Sequence, residues 1–318
     1  MFGPRLNNAF REVKRAFDPN SIMNPGKIID CPPMTENLRY GPDYRAASIP
    51  ATLDFSLDSD YAGAVEMCNG MGTCRKLDGS MCPSFMATKE EEHSTRGRAN
   101  LLRAALSGLM PEVSFASRRL YEALDLCLEC KACKAECDSG VDMAKLKYEF
   151  LDKFYKANGR PLRKKVFADV NRINRWGSRL APFSNWAARS PLGKLAGRML
   201  LGVHTRRRLP AFARQTLPRW FEDRVYEKTP VSSFEKGGYG RGTVALFNDT
   251  FMNYNYPEVG KAAVELLEAA GFRVELANGR CCGRPMMSHG LLDEAAAHAR
   301  YNVDLLHAYA DQGVPIVG

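Results

Sequence analysis

Several absences narrow the class of this 318-residue chain. No apolar run approaches the roughly eighteen residues that cross a bilayer, and the N-terminus lacks the pattern of a signal peptide; a cytoplasmic location is expected, with the inner face of the membrane as an extension of it. Gly-x-Gly-x-x-Gly is missing after the first strand of the C-terminal α/β pattern, which disfavours a dinucleotide site there. Residues 151–220 contain no glutamate: 17 Lys and Arg stand against 2 Asp, so this stretch carries +15 within a chain of net +9 and leaves −6 elsewhere. Aromatics are few in that block and no recognition motif accompanies it, so no nucleic-acid partner is expected. Its Lys and Arg alternate with apolar residues at helical spacing, as in KKVFADVNRINRWGSRLAPF, which reads as amphipathic helices with solvated faces. Docking of the block to an anionic membrane surface or a redox partner is the second reading. A disulfide framework is a poor account of the ten cysteines, because the chain is large and the thiols are clustered. Only Cys31 stands alone, as a plain thiol.

What is present is cysteine in runs. CLECKACKAEC separates Cys127, Cys130, Cys133 and Cys137 by two, two and three residues. That is bacterial ferredoxin spacing, in which three thiolates wrap one face of an iron–sulfur cube and the fourth ligates the other cluster of a two-cluster protein. The earlier run CNGMGTCRKLDGSMCP offers Cys68, Cys74 and Cys82, the last followed by Pro83, with Met71 where the second thiol belongs. The crosswise rule therefore predicts a complete four-thiolate 4Fe-4S site from Cys82, Cys127, Cys130 and Cys133, and an incomplete site from Cys68, Cys74 and Cys137. A thioether is a poor substitute for a thiolate. Three states are open for the incomplete site: a 3Fe-4S cluster, no cluster, or a 4Fe-4S cluster with a non-cysteine ligand, His93 being the nearest imidazole in sequence. Zinc competes through its preference for Cys-x-x-Cys knuckles, but three thiols at equal steps are one too many for a knuckle.

Between the runs, STRGRANLLRAALSG carries a cap at Ser94 or Thr95 and stops at Gly108, so a helix is predicted, with Arg96 and Arg98 as solvated residues on it. A second helix spans about 115–126 and DMAKLKYEFLDKFYKA makes a third. Runs separated by helices point to an α-helical ferredoxin module. From Gly240 the pattern becomes strand (GTVALFND), helix (PEVGKAAVELLEAAG), strand (FRVEL), long helix and strand (VPIVG), an alternation that predicts parallel strands.

Three stretches carry a family resemblance. FREVKRAFDPNSIMNPGKIID reads as a helix followed by two turns, and it resembles the C-terminal end of FAD-linked oxidases of the glycolate oxidase and D-lactate dehydrogenase type; MTENLRYGPDY is similar to the connector that follows in fused flavin and iron–sulfur members. MCPSFMATKEEEHSTRGRA after the first cysteine run fits the same family, and that similarity leaves a role near the cluster open for Arg96 and Arg98 as the alternative to solvated residues. CCGRPMMSHG, with adjacent Cys281 and Cys282, resembles the CCG domain of heterodisulfide reductase and of the iron–sulfur half of glycolate oxidase. In that family another cysteine ends the first strand; here Asp249 stands in its place, so Asp249, Cys281 and Cys282 are candidate ligands, with a strand-end structural role for Asp249 as the alternative.

The resemblance implies an α+β multidomain chain: the truncated tail of an FAD-linked oxidase domain at 1–30, a connector at 31–60, a helical ferredoxin-type 4Fe-4S domain at 61–160, a basic helical segment at 161–239 and a truncated CCG domain at 240–318. It implies the iron–sulfur portion of an FAD-dependent enzyme oxidising a D-2-hydroxy acid such as lactate, glycolate or 2-hydroxyglutarate. FAD would sit on a flavin domain upstream in the same polypeptide, and a quinone or cytochrome would accept the electrons. The alternative is a stand-alone iron–sulfur carrier or a subunit that partners a separate flavoprotein.

Overall fold

A computed structural model describes residues 2–38, 40–109, 114–227 and 242–318; the end of the expected basic segment, 228–239, and the first two residues of the expected CCG domain, 240–241, lie outside them. The chain divides into two units, Met1–Ala47 and Ser48–Gly318.

In the first unit, helix α1 (Gly3–Phe17) begins with Pro4 in its first turn, where a missing N–H costs nothing. It ends at Asp18, whose carboxylate accepts the Ile22 and Met23 N–H groups at 2.8 and 2.9 Å and so folds the Asp-Pro-Asn turn back on the helix. Phe2, Leu6, Phe10, Val13 and Phe17 recur at helical spacing, yet all are exposed. The helix thus presents an apolar stripe that nothing within its unit covers.

The second unit is mostly helical. Short helices α2 (Tyr61–Glu66) and α3 (Pro83–Thr88) flank the first cysteine run. Helix α4 (Thr95–Ser107) follows, capped by the Ser94 hydroxyl, which accepts the Gly97 N–H at 2.9 Å, and closed by Gly108 in the left-handed region. Helices α5 (Arg118–Asp125) and α6 (Ala132–Glu136) flank the second run. Helix α7 (Met143–Asn158), capped by Asp142, is buried almost all round. Such a helix is a core element: Leu146, Phe150 and Leu151 join Leu102, Leu120 and Leu124 from α4 and α5, all at most 1% exposed. Each contributes roughly 1.5–3 kcal/mol on burial. The fully buried Glu149 accepts the N–H groups of Thr52 and Leu53, at 2.9 and 3.0 Å, and ties the connector to α7.

The basic segment forms α8 (Leu162–Ala168), α9 (Val170–Arg179), α10 (Phe183–Arg189), α11 (Pro191–Leu201) and α12 (Leu217–Glu227). Amphipathic helices were expected to bury an apolar face here. The structure differs: no side chain of α10 or α11 is buried, and Trp176, Phe183, Trp186 and Leu192 are exposed.

The C-terminal part alternates as its pattern predicts: β1 (Thr243–Leu246), α13 (Thr250–Tyr254), α14 (Pro257–Ala269), β2 (Arg273–Leu276), α15 (Arg284–Ser288), α16 (Leu292–Asp311) and β3 (Ile316–Val317). The strands form a parallel sheet of order β2-β1-β3, with Val244 opposite Val274 and Leu246 opposite Val317. Val244, Leu246, Val274 and Leu276 pack against Val264 of α14 and Leu217 of α12. Buried Asn248 joins the carboxyl ends of β1 and β2, donating to Asn253 at 2.8 Å and to Asn278 at 3.1 Å.

Candidate iron–sulfur sites

Two cavities lie in the helical module, and the cysteines divide between them. The first is lined by Cys68, Cys74 and Cys137, with Met71 on the same wall. The second is lined by Cys82, Cys127, Cys130 and Cys133. This is the crosswise partition of the two runs: each cavity draws one cysteine from the run that supplies the rest of the other. Met81, only 1% exposed, and Thr95 line both cavities and form the wall between them.

Local structure explains the placement. Cys82 precedes the first turn of α3, and Pro83 starts that helix. Cys133 lies inside α6 and Cys137 ends it, so one short helix divides its thiols between the two voids. Gly72 is needed before Cys74, because its φ is +87° and a Cβ there would stand 2.7 Å from Arg96 Nη1.

Burial opposes ionisation of three of these thiols. It pushes Cys133 up to about 11 and raises Cys68 and Cys127. Cys82 moves the other way. Burial pushes it up too, but the Ser84 hydroxyl, the Phe85 N–H and the Arg98 guanidinium outweigh that and hold it below the ordinary thiol value. Buried thiols become thiolates when an electron-poor partner compensates the charge, which is how metal binding couples to folding in such sites.

Arg98 corrects a sequence expectation. Read as a solvated residue, it is 0% exposed. Its Nε donates to Ala123 O at 2.8 Å, Nη2 to Ser84 Oγ at 3.0 Å, and Nη1 lies 3.7 Å from Cys82 Sγ. Among the ion pairs of the described residues it has no carboxylate partner. A buried cation without a paired carboxylate is costly; Glu92 feels its charge without pairing to it, and the guanidinium lines the cavity of four thiols. Lys147, also buried, donates to Cys127 O at 2.7 Å and pairs with Glu129 at 3.0 Å. Arg96 serves the first cavity. Its backbone N–H donates to Cys74 Sγ at 3.3 Å and its Nη1 to Gly70 O at 3.0 Å, while Glu91 accepts from its Nε and Nη2 at 2.8 and 3.1 Å. Arg103 donates to Cys68 O at 3.1 Å.

Met71 is 63% exposed, and its sulfur accepts from the Thr73 hydroxyl at 3.2 Å. His93 is not on the lining of the first cavity. Its Nδ1 is 2.9 Å from Thr88 Oγ1 and its Nε2 3.4 Å from Glu92, while its carbonyl accepts from Ser84 Oγ beside the second cavity.

The cavities suit a polynuclear group. Thiols are the soft donors such clusters take. In both cavities they are arranged around a void; among the described residues no three Cys, His, Asp or Glu side chains converge as for a single metal ion. The buried guanidinium at Cys82 fits a guest that is anionic once its thiolates are counted.

In the α/β part, Asp249 caps α13, its Oδ1 accepting the Met252 N–H at 2.6 Å, which is a strand-end structural role. Its carboxylate is also close enough to Cys282 to raise that thiol. Cys281 is buried and Cys282 exposed. The pair shares a hydrogen bond that pushes Cys281 up and Cys282 down, Cys282 being held down further by the Arg284 N–H and guanidinium. The three candidates follow the carboxyl ends of β1 and β2, where open α/β sheets place their sites, but among the described residues they do not converge as a three-donor group for a metal ion. Lys147, Arg103 and Met81 were missed by sequence reasoning, and Thr95 was read only as a helix cap. For Arg98 the pointer was the family resemblance of the stretch that contains it.

The comparisons agree with this layout. The 4Fe-4S dicluster domain family matches residues 64–141, the FAD-linked oxidase C-terminal domain family residues 1–28, and the cysteine-rich CCG domain family residues 244–316. They make it similar to FAD-linked iron–sulfur oxidoreductases in three separate stretches. More particularly, it is similar to D-2-hydroxyglutarate dehydrogenase of Escherichia coli (strain K12), 27% identical over 100% of this chain and 34% of that protein. The Pseudomonas putida enzyme of the same name is 28% identical over 98% of this chain and 34% of its own length. A subunit of the anaerobic glycerol-3-phosphate dehydrogenase of Escherichia coli (strain K12) is 29% identical over 49% of this chain and 38% of its own. The chain thus spans about a third of the length of the first curated relatives it matches. No solved structure matches it significantly.

Proposed function

We propose that this chain is the iron–sulfur electron-transfer part of an FAD-dependent dehydrogenase that oxidises a D-2-hydroxy acid, with 2-hydroxyglutarate first among lactate, glycolate and 2-hydroxyglutarate. The observation that carries the reading is the partition of seven cysteines into two adjacent cavities that share the Met81 and Thr95 wall. Cys82, Cys127, Cys130 and Cys133 would hold a 4Fe-4S cluster, and Cys68, Cys74 and Cys137 a three-thiolate one. Such clusters, when bound, supply one-electron transfer, which lets a two-electron flavin be drained stepwise. The chain's own residues bind and tune: thiolates anchor, Arg98 and Arg96 aim N–H groups at sulfur, and the buried wall excludes water between the sites.

The exposed apolar stripe of α1 supports a flavin domain upstream, since a short tail with one uncovered face completes a fold elsewhere in the polypeptide. In this layout residues 1–30 close that domain, 31–60 connect, 61–160 carry the clusters, 161–239 form the basic segment and 240–318 the CCG domain. The acceptor is a quinone or cytochrome. A second reading, an iron–sulfur subunit beside a separate flavoprotein, is favoured by the similarity to the glycerol-3-phosphate dehydrogenase subunit.

The test is the longer reading frame. A flavin-binding domain should be encoded upstream of Met1 in the same frame, and the longer polypeptide should bleach its flavin with one of the three hydroxy acids. No bleaching with any of them would refute the substrate class; a stop codon between the two coding regions would favour the subunit reading. This chain alone should bind iron and sulfide but no stoichiometric FAD.

A further inference from the structure

We propose that α9–α11 and the loop after them form a docking surface for an anionic lipid bilayer. Between Val170 and Phe221 the chain carries eleven Lys and Arg and no Asp or Glu. A surface of one sign over fifty residues is not balanced from within, so its counter-charge comes from outside the segment. The same stretch exposes large apolar side chains: Phe183 and Leu192 are 76% exposed, Met199 75% and Trp186 74%. Both α10 and α11 bury no side chain. Helices that merely solvated a charged face would bury the other one; these leave both uncovered.

Charge and apolar surface together select the occupant. A second copy would bring another basic face against this one, which repulsion disfavours. Nucleic acid answers the charge but leaves Phe183, Leu192 and Met199 in water. An anionic bilayer answers both: Trp, Phe and Leu enter the headgroup and acyl boundary while Lys and Arg meet the phosphates, which is the composition of helices that lie in a membrane interface. Arg179 stands over the Trp176 ring at 5.1 Å, joining a cation to an apolar body as interfacial side chains do. The fit is to lying on a membrane: no helix among the described residues is long and apolar enough to cross one. The inference does not depend on the clusters.

The test is co-sedimentation of the 318-residue chain with phosphatidylglycerol/phosphatidylcholine vesicles against pure phosphatidylcholine vesicles, together with tryptophan emission. Binding to the anionic vesicles should be at least tenfold stronger, weaken with salt, and shift the emission to the blue. The variant Arg206→Glu/Arg207→Glu/Arg208→Glu should lose most of the binding. The variant Phe183→Ser/Trp186→Ser/Met199→Ser, at positions that bury nothing and so leave the melting temperature unchanged, should bind more weakly. Equal binding to both vesicles, or none, would overturn the proposal. So would a dimer in light scattering that the serine variant abolishes, which would give the face to a second copy. Loss of vesicle binding in the longer polypeptide with its upstream domain would also overturn it, assigning the face to that domain.

Discussion

The two cysteine cavities differ in what surrounds the sulfur. The second has four cysteines and a fully buried arginine with no carboxylate in its ion-pair shell among the described residues; the first has three cysteines, an exposed methionine, and an arginine already paired with Glu91. A buried unpaired cation is tolerable only where an anion is expected, whereas a paired one makes no such demand. On the proposed reading the electrostatics repeat the count of thiols: the second cavity would suit a permanent anionic guest, and the first one held less completely.

The largest difference should appear on removing a thiol from each. Cys130→Ser is expected to cost about 3 kcal/mol or more, roughly a 6–12 °C fall in melting temperature for a unit of this size, and at least half of the bound iron. Because Cys130 is exposed, little of that loss can come from packing. Cys74→Ser should cost distinctly less, although Cys74 is buried. Equal melting losses, measured by calorimetry on anaerobically reconstituted protein, would erase the asymmetry.

Arg98 provides the next contrast. Arg98→Leu removes the charge aimed at Cys82 and should lower the reduction potential of the second site by on the order of 100 mV, with Arg98→Lys intermediate. Arg96→Leu should move the first site less, because Glu91 already offsets that charge. Potentiometric titration followed by paramagnetic resonance separates the sites; a larger shift from Arg96 would reverse the assignment.

The smallest effect is expected at the wall. Met81→Leu conserves volume and should cost less than about 1.5 kcal/mol, but it should alter the line shape of both cluster signals, since Met81 faces both cavities. A change confined to one signal would place the wall elsewhere.

What the sequence disclosed follows from which interactions are local. The cysteine partition was legible because ligand spacing along the chain dictates which thiols share a face. Helices α4 and α7 were legible from Ser94, Gly108 and Asp142, whose capping chemistry is local. The parallel sheet followed from strand and helix alternation. For Arg98 only the resemblance pointed to the cluster, because the first turn of a helix looks solvated until α5 brings Ala123 O over it, a contact 25 residues away. The uncovered apolar face of α10 and α11 was equally hidden, since periodicity reveals an apolar face but not whether anything lies on it. Asp249 could be narrowed to two roles by its position after β1; its bond to the Met252 N–H exists only once α13 has formed.

The central claim is that the first site is one thiolate short at Met71. Paramagnetic resonance of the anaerobically reconstituted protein and of Met71→Cys tests it most directly. The parent should show a three-iron signal when oxidised and a single four-iron signal when reduced, and Met71→Cys should lose the former and gain a second four-iron signal. Two four-iron signals already present in the parent, unchanged by Met71→Cys and by His93→Ala, would contradict it.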